Sequence, residues 1–326
     1  MRLLVGDIGG TKTALGIAET DCEVVSVTEP RRYPSAAFDS LEQIIHRYRI
    51  ETGVHCRFAA FAVAGPVQDR RCEATNLPWS LDADALEVAF GFAGVEFLND
   101  LEAVAWGVSA LRDTDLAELH PGEGEGKGNA CVVSAGTGLG QAGLFWDGFR
   151  HHAFATEGGH TDFAPADDLE FAMLRYLKMR FGRVSWERVV SGPGIANIYE
   201  FLLRYHDCES PVWLRRAIDE GGDTAAVVAQ AAAIERCPIC VEAMHLFLRL
   251  YGREAGNAAL KHMALGGVYL GGGIPLKNLA LLRQGGFLEG FFDKGRMGCL
   301  MRRMPVRVIL QPLTPLFGAA RFMASQ

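Results

Sequence analysis

Short apolar runs alternate with amphipathic segments along the whole chain. Apolar strands are predicted at 3–5 and 58–64, and helical spacing of apolar residues predicts a helix over about 40–51. Further helices are predicted at 82–90, 101–111, 169–181, 224–234 and 241–263, and further strands at 95–98, 268–270 and 306–310. Because strands and helices alternate, we expect an α/β fold.

A glycine-rich hairpin occurs twice. The first has its turn at 6–11 and its return strand at 14–18. The second has a strand at 131–133, a turn at 135–140 and a return strand at 142–146. The repetition predicts two similarly built halves. Between them, the glycine-rich segment 112–129 is the best candidate for a domain boundary.

Composition and charge exclude several classes of protein. The 326 residues are 49% hydrophobic and 22% charged, the balance of a globular chain of about two domains. A net charge of −7 without a long basic run argues against nucleic acid as a partner. The eight cysteines are too scattered for a disulfide framework, and no segment has the pattern of a membrane span or a secretory signal. We therefore expect a cytoplasmic protein that binds neither nucleic acid nor membrane.

The two glycine turns are candidate phosphate-binding loops. Glycine lets backbone N–H groups converge on an anion without interference from a Cβ atom. An ordinary hairpin turn is the alternative, and the recurrence of the pattern makes it less favoured. A G-x-G-x-x-G match at 138–143 is accidental, because a strand rather than a helix follows it, and no Walker-type motif is present.

Asp100 is the sharpest single candidate for catalysis. It follows a predicted strand and opens a predicted helix, and ligands collect at such strand ends in α/β sheets. Capping of the helix is the alternative function, and the two are compatible. The helix dipole favours the ionised carboxylate, which is the form that a general base for a hydroxyl must take.

Glu157 and His160 place a carboxylate and an imidazole three residues apart around two glycines, with Glu187 a short element later. Such groups suit sugar hydroxyls, because a carboxylate accepts from adjacent hydroxyls and a neutral imidazole offers one donor and one acceptor. Metal binding is less favoured, since it requires more ligands at close spacing. Cys237 and Cys240 have the spacing of half a zinc site, but no second pair follows, and we interpret them as ordinary thiols.

Taken together, the motifs resemble the bacterial ATP-dependent glucokinase family. The similarity follows the order of the chain from the first strand to the segment 316–319, and the ordered set is specific although each motif alone is weak. The motifs that carry it are Gly6 to Thr11, Phe97 to Asp100, Ala135 to Gly140, Glu157 to Pro165, Ser191 to Gly194 and Gly271 to Ile274. Lys12 departs from the pattern, since relatives commonly carry asparagine there.

The resemblance implies a two-domain hexokinase/actin-like, ribonuclease H-like α/β fold with a nucleotide and sugar cleft between the domains. The small domain would comprise 1–111 plus 300–326 and the large domain 112–299. Such an enzyme transfers the γ-phosphoryl group of ATP to the 6-hydroxyl of glucose, with Mg²⁺, and members are often homodimers. A kinase of another hexose, or a non-enzymatic nucleotide switch of the actin or chaperone type, is the alternative.

The resemblance also implies roles for individual residues. Asp100 would be the catalytic base, and Asp7 would face the magnesium ion indirectly. The glucose ligands would be Asn99, Asp100, Glu157, His160 and Glu187. The ATP-binding residues would be Gly6, Asp7, Ile8, Gly9, Gly10, Thr11, Gly136, Thr137, Gly138 and Gly272.

Overall fold

The computed structural model describes residues 1–21, 24–74 and 77–326. Its strands are β1 (Arg2–Ile8), β2 (Lys12–Thr20), β3 (Val25–Pro34), β4 (Phe58–Val63), β5 (Val67–Gln68), β6 (Arg71–Glu73), β7 (Ser80–Asp82), β8 (Gly94–Asn99), β9 (Leu116–His120), β10 (Ala130–Ala135), β11 (Leu139–Trp146), β12 (His151–Thr156), β13 (Gly267–Gly271) and β14 (Val306–Ile309).

Helices lie between these strands, singly in the first half of the chain and in two runs of consecutive helices in the second. They are α1 (Leu41–Thr52), α2 (Ala83–Phe90), α3 (Asp100–Val108), α4 (Asp168–Phe181), α5 (Gly192–Tyr205), α6 (Val212–Asp219), α7 (Thr224–Ala233), α8 (Pro238–His262), α9 (Gly273–Lys277), α10 (Leu279–Leu282), α11 (Gly286–Phe292), α12 (Gly298–Arg302) and α13 (Thr314–Ser325). Short 3₁₀ helices lie at Ser35–Ala37, Asp113–Asp115, Gly158–His160, Trp186–Arg188 and Gly295–Met297. The α/β class is confirmed.

Two sheets share one strand order. The first runs β3-β2-β1-β4-β8, with β1 antiparallel to β2 and parallel to β4, and β4 parallel to β8. The second runs β12-β11-β10-β13-β14-β9, with β10 parallel to β13 and β13 parallel to β14. If only the strands of each sheet are numbered along the chain and the edge strand β9 is left out, both sheets have the order third, second, first, fourth, fifth. The hairpin repeat in the sequence therefore reflects a repeated topology. A third, three-stranded sheet is formed by β5, β6 and β7.

The strand β1 is buried on both faces, which explains its unbroken apolar sequence. Leu4 and Ile8 pack into a core with α1, whereas Leu3 and Val5 pack into a second core that includes residues of α3 and α13. Successive side chains of a strand point to opposite faces, so Asp7 shares the face of Leu3 and Val5. The Asp7 carboxylate therefore points to the side of the sheet on which α3 and α13 pack.

The chain forms two compact units. The first comprises Met1–Leu116, Ala142–Ala155 and Leu310–Gln326, and the second comprises Ala117–Gln141 and Thr156–Ile309. The sequence places the boundaries at 111 and 300 and the segment 142–155 in the larger domain. The limits differ because the glycine-rich segment expected to be a linker contains ordered structure: the 3₁₀ helix Asp113–Asp115 and β9. Both ends of the chain lie in the first unit.

A long helix organises the second unit. The 25-residue α8 buries a face that includes Phe247 and Tyr251, and the Tyr251 ring packs against both Phe247 and Phe287 of α11. In the described part of the chain, no single helix has both the length and the apolar composition to cross a bilayer; α7 and α8 meet those criteria only as a pair bent by 103°.

Candidate functional site

The turn between β1 and β2 is held in place by a serine distant in sequence. The Gly9 N–H donates to Lys12 O (3.0 Å), which closes the turn. Ser35, at the end of β3, donates from its hydroxyl to Gly9 O (2.7 Å) and from its N–H to Thr11 O (3.1 Å). Its hydroxyl also lies 3.0 Å from that of buried Thr13. This loop, Gly6 to Thr11, is therefore fixed before any ligand arrives.

Two carboxylates stand together where the parallel strands of the first sheet end. Asp7 is near the end of β1, and Asp100 is the first residue of α3, directly after β8. Burial first and the negative charge of Asp100 second raise the pKa of Asp7 to about 7, against the opposing charge of Arg32. An acid whose pKa is perturbed by burial and by a neighbouring carboxylate is typical of a functional site.

Asn99, not Asp100, caps α3. The Asn99 side-chain oxygen accepts from the N–H groups of Leu101 (3.0 Å) and Glu102 (3.3 Å), and its amide nitrogen donates to Gly65 O (3.4 Å). Asp100 Oδ1 also accepts from Leu101 N–H (2.9 Å). Because the asparagine serves as the cap, the Asp100 carboxylate is not required for that role.

The second glycine turn is braced from α5 and from Glu187. The Gly136 N–H donates to Gly138 O (2.9 Å), and the Gly192 N–H donates to Gly136 O (2.8 Å). Glu187 accepts from the Leu139 N–H at 3.0 Å. A Cβ atom at position 138 would lie 2.6 Å from the Glu187 carboxylate, so a larger residue there would displace that side chain. The predicted sugar ligand Glu187 thus also supports the predicted ATP loop.

Glu157 and His160 lie close to the start of β11. Glu157 precedes the 3₁₀ helix Gly158–His160 and His160 is its last residue. Within this helix, Gly159 lies so close to Leu139 O that a Cβ atom would collide with it. The next 3₁₀ helix, which carries Glu187, is attached by the hydrogen bond from Trp186 N–H to Thr161 O (2.9 Å). The side chains of Glu157 and His160 are 79% and 59% exposed and their nearest N and O atoms are 3.8 Å apart. The structure therefore gathers three predicted sugar ligands around Leu139.

A cavity of about 940 Å³ opens beside the second glycine turn. Gly136 and Thr137 line one part of it, together with Gly192 at the start of α5 and Gly273 at the start of α9. Its remaining wall has an apolar part, formed by Pro193, Ile195, Ala196, Ala225, Ala226, Ala229, Ala233 and Ile274, and a polar part, formed by Asp223, Thr224, Gln230, Lys277 and Asn278. Such a cavity has room for a flat aromatic ligand that carries an anionic group.

Gly272 belongs to this site through its backbone. Its φ of +88° is accessible mainly to glycine, and a Cβ atom there would collide with Ala135 O. This close approach brings the end of β13 against the end of β10, next to the second turn. The predicted ATP residues Gly136 and Thr137 line the cavity, Gly272 adjoins it, and Gly138 supports the turn.

Sequence reasoning missed several residues of the site. Ser35 has no local signal, because its partners are up to 26 positions away. The α7 wall is an alanine-rich helix that looks like ordinary core. The start of α5 is a Gly-Pro-Gly sequence that resembles a loop, although proline in the first helical turn is a common helix start.

Cys237 and Cys240 are both buried and free, in agreement with ordinary thiols. Within the described ranges, no group of three or more His, Cys, Asp or Glu side chains is arranged to hold a metal ion. The acid pair Asp7 and Asp100 offers hard oxygen ligands that a cation could share with phosphate groups.

Comparison with known proteins assigns the family. The Glucokinase family model matches residues 4–326. A glucokinase from Synechocystis is 41% identical, with 98% of this chain and 97% of that protein covered. The crystal structure of a glucokinase from an Antarctic psychrotroph is 29% identical, with a TM-score of 0.87 and coverage of 100% and 99%.

A more distant structure shares the fold. It is a ROK family glucokinase from Streptomyces griseus in complex with glucose and AMPPNP, 19% identical, with a TM-score of 0.67 and full coverage of both chains. The full-length family match and the 41% identical relative agree with the paired glycine turns and the acid pair. The chain therefore belongs to the glucokinase family, enzymes that phosphorylate glucose with ATP.

Proposed function

We propose that Asp100 is the general base that accepts the proton of the glucose 6-hydroxyl while that oxygen attacks the γ-phosphoryl group of ATP. The observation that carries the proposal is the position of Asp100 beside Asp7, at the carboxyl end of β1, β4 and β8. Release of Asp100 from the capping role by Asn99 supports it. Proton acceptance by a positioned carboxylate contributes about 10²–10⁴ in rate.

ATP would bind with its base in the cavity beside the second glycine turn. The alanines of α7 leave room for the adenine ring, and the turn at Gly136 and Thr137 would face the phosphates. The turn Gly6 to Thr11 would bind the terminal phosphates. The comparison structure with glucose and AMPPNP supports this donor class.

Mg²⁺ would be held near Asp7. The donor chemistry fits, because two neighbouring carboxylates raise each other's cost of ionisation and a divalent cation with phosphate oxygens removes that cost. Asp7 would contact the ion through a bound water molecule. When bound, the ion neutralises charge on the phosphate oxygens. The protein's own contribution is to position the nucleotide, the sugar and the base.

Glucose would be held by Asn99, Asp100, Glu157, His160 and Glu187. The second N–H of the Asn99 amide can donate to a hydroxyl, since only one is used by Gly65. The three groups around Leu139 supply the acceptors that vicinal hydroxyls need. The exposure of Glu157 and His160 suits groups that exchange water for substrate.

The proposal extends to the fold type, the domain limits and the assembly of the protein. The shared strand order of the two sheets supports a ribonuclease H-like, hexokinase/actin-type fold, with nucleotide and sugar in a cleft between the domains. The proposal retains a small domain of 1–111 plus 300–326 and a large domain of 112–299. It also retains a cytoplasmic homodimer without nucleic acid or membrane partners.

Substitution of the base tests the mechanism. We expect Asp100→Asn to lower kcat by about 10²–10⁴ while ATP binding and the unfolding midpoint stay unchanged. Coupled assays of glucose 6-phosphate formation measure kcat, and calorimetry measures ATP binding. Asp84→Asn is the matched control, because Asp84 is an exposed acid in the first turn of α2. Near-normal turnover of Asp100→Asn would remove Asp100 from this role.

The sugar needs a separate test. The same assay with glucose, mannose, fructose and N-acetylglucosamine compares kcat/KM between hexoses. We expect glucose to be the best substrate. A clear preference for another sugar would support the alternative of a different hexose kinase while leaving Asp100 as the base.

A further inference from the structure

Arg32 lies on the same face of the first sheet as Asp7. In the pairing of β1 with β2, Asp7 is opposite Ala14, and in the pairing of β2 with β3, Ala14 is opposite Arg32. Residues directly opposite each other in an antiparallel pair point to the same face of the sheet. Asp7, Ala14 and Arg32 therefore form one row across three strands, at the end of β1 where Asp100 is also found.

Ala14, which lies between Asp7 and Arg32 in this row, has a small side chain. Neighbouring strands are about 4.7–4.9 Å apart, so a long side chain on β3 can extend across an alanine on β2 toward β1. The electrostatic contact is consistent with this direction, since Arg32 lowers the pKa of Asp7 against the effects of burial and of Asp100. Arg32 is exposed, so its guanidinium is accessible to a ligand.

Its neighbour Arg31 has the opposite orientation. Arg31 is opposite Leu15 in the ladder and pairs with Glu29 at 2.9 Å. The two arginines are both exposed and lie on the same strand, but their side chains point to opposite faces of the sheet. Arg31 is therefore a matched control for Arg32.

We propose that Arg32 binds the transferred phosphoryl group of ATP. The proposal rests on the proposed function, which places the terminal phosphates at the turn Gly6 to Thr11. Asp7 and Asp100 repel the phosphate oxygens, so a fixed positive charge on this face would add to the neutralisation that Mg²⁺ supplies. A guanidinium is always charged and can bind two phosphate oxygens with parallel hydrogen bonds. Arg32 supplies that charge across Ala14.

Three variants and their nucleotide dependence test Arg32. We expect Arg32→Gln to lower kcat/KM for ATP about tenfold to hundredfold, the loss expected for a charged hydrogen bond. Binding of ATP, measured by calorimetry, should weaken, whereas binding of AMP should not change. Arg31→Gln should equal the wild type in both measurements. Arg32→Lys should retain part of the activity, because it keeps the charge without the planar fork.

Moving the charge distinguishes a phosphate contact from support of β3. Ala14→Arg in the Arg32→Gln background places a guanidinium in the same row, one strand closer to Asp7. We expect it to recover part of the lost kcat/KM. No recovery, in a double variant that still binds AMP as the wild type does, would assign the loss to the fold of β3 and overturn the proposal.

The remaining outcomes are also decisive. Equal kcat/KM for Arg32→Gln and Arg31→Gln would overturn the proposal while leaving the proposed function intact. If Arg32→Gln failed to fold, Arg32→Lys would decide: a reduced kcat with unchanged AMP binding supports the proposal, and wild-type values overturn it. Failure of the proposed function has a different signature, namely full activity of Asp100→Asn.

Discussion

At the residue scale, Glu187 has two tasks that substitution can separate. One carboxylate oxygen accepts from Leu139 N–H, and the proposed function assigns the group to glucose as well. In Glu187→Gln the amide oxygen can keep the Leu139 bond, so we expect KM for glucose to rise about fivefold to hundredfold while KM for ATP stays unchanged. Glu187→Ala loses both contacts and should raise both KM values. Steady-state kinetics, with first glucose and then ATP varied, gives both KM values for each of the two variants.

The opposite pattern would refute the sugar role. A normal KM for glucose in Glu187→Gln, together with a raised KM for ATP in Glu187→Ala, would leave Glu187 as a support of the second turn only. Glu157→Gln provides a comparison, because Glu157 makes no contact with that turn through its own carboxylate in the described structure. It should raise KM for glucose alone.

The residue types of the site could be predicted, but their partners could not. Glycine at 138 and an acid at 100 have local signals, namely a turn between strands and a strand end before a helix. The choice between Asn99 and Asp100 as helix cap depends on side-chain direction, which the sequence leaves open. Ser35 acts through contacts across three strands, and no local pattern marks it.

At the element scale, periodicity predicted most elements of the chain. The predicted helices 40–51 and 169–181 correspond to α1 (Leu41–Thr52) and α4 (Asp168–Phe181). It missed β3, whose residues are mostly exposed and include three charged ones, since an edge strand lacks the apolar signal. It also missed α5 and α6, where prolines and glycines near the start suggest a loop.

The attachment of α4 to α8 gives a prediction at this scale. Glu170 is 1% exposed and pairs with Arg249 at 3.0 Å and with Arg253. We expect Glu170→Gln to lower the free energy of unfolding by about 3–5 kcal/mol, because it leaves two arginines without their buried counter-charge. Chemical denaturation measures the change. The control Glu200→Gln, which breaks an exposed pair with Arg180, should change it by less than about 1 kcal/mol.

A loss below about 1 kcal/mol in Glu170→Gln would contradict this reading. It would mean that the two guanidinium groups find water or Asp167, which already accepts from Arg249 at 2.7 Å. The double variant Asp167→Asn/Glu170→Gln removes that alternative partner. It should then reveal the full cost if Asp167 had compensated.

At the scale of the whole molecule, the repeat of one strand order in both sheets is the main regularity. The two glycine hairpins in the sequence predicted two similarly built halves, but they did not predict the order of the strands within each sheet. The unit limits were harder to predict. They depend on which ordered segments pack together, and β9 lies within a segment whose composition indicates a linker.

Global stability should depend on pH through Lys294. Its ammonium group donates to Arg253 O and Asn257 Oδ1, both at 2.9 Å, but burial first and the charge of Arg253 second lower its pKa to about 8, against opposition from Glu254 and Asp293. Between about pH 8 and the ordinary value of 10.5, the unfolded chain holds a proton that the folded protein has released. The Lys294 contribution to the free energy of unfolding therefore rises with pH in this window.

Comparison with Lys294→Met isolates that contribution. Groups with raised pKa values, such as Cys131 at about 12, titrate alike in both proteins and cancel in the difference. We expect the free energy of unfolding of the wild type minus that of Lys294→Met to increase by about 1–3 kcal/mol between pH 7 and pH 10. Urea denaturation at half-unit steps of pH measures it. A constant difference would show that water reaches the ammonium group and that its charge is not penalised in the folded protein.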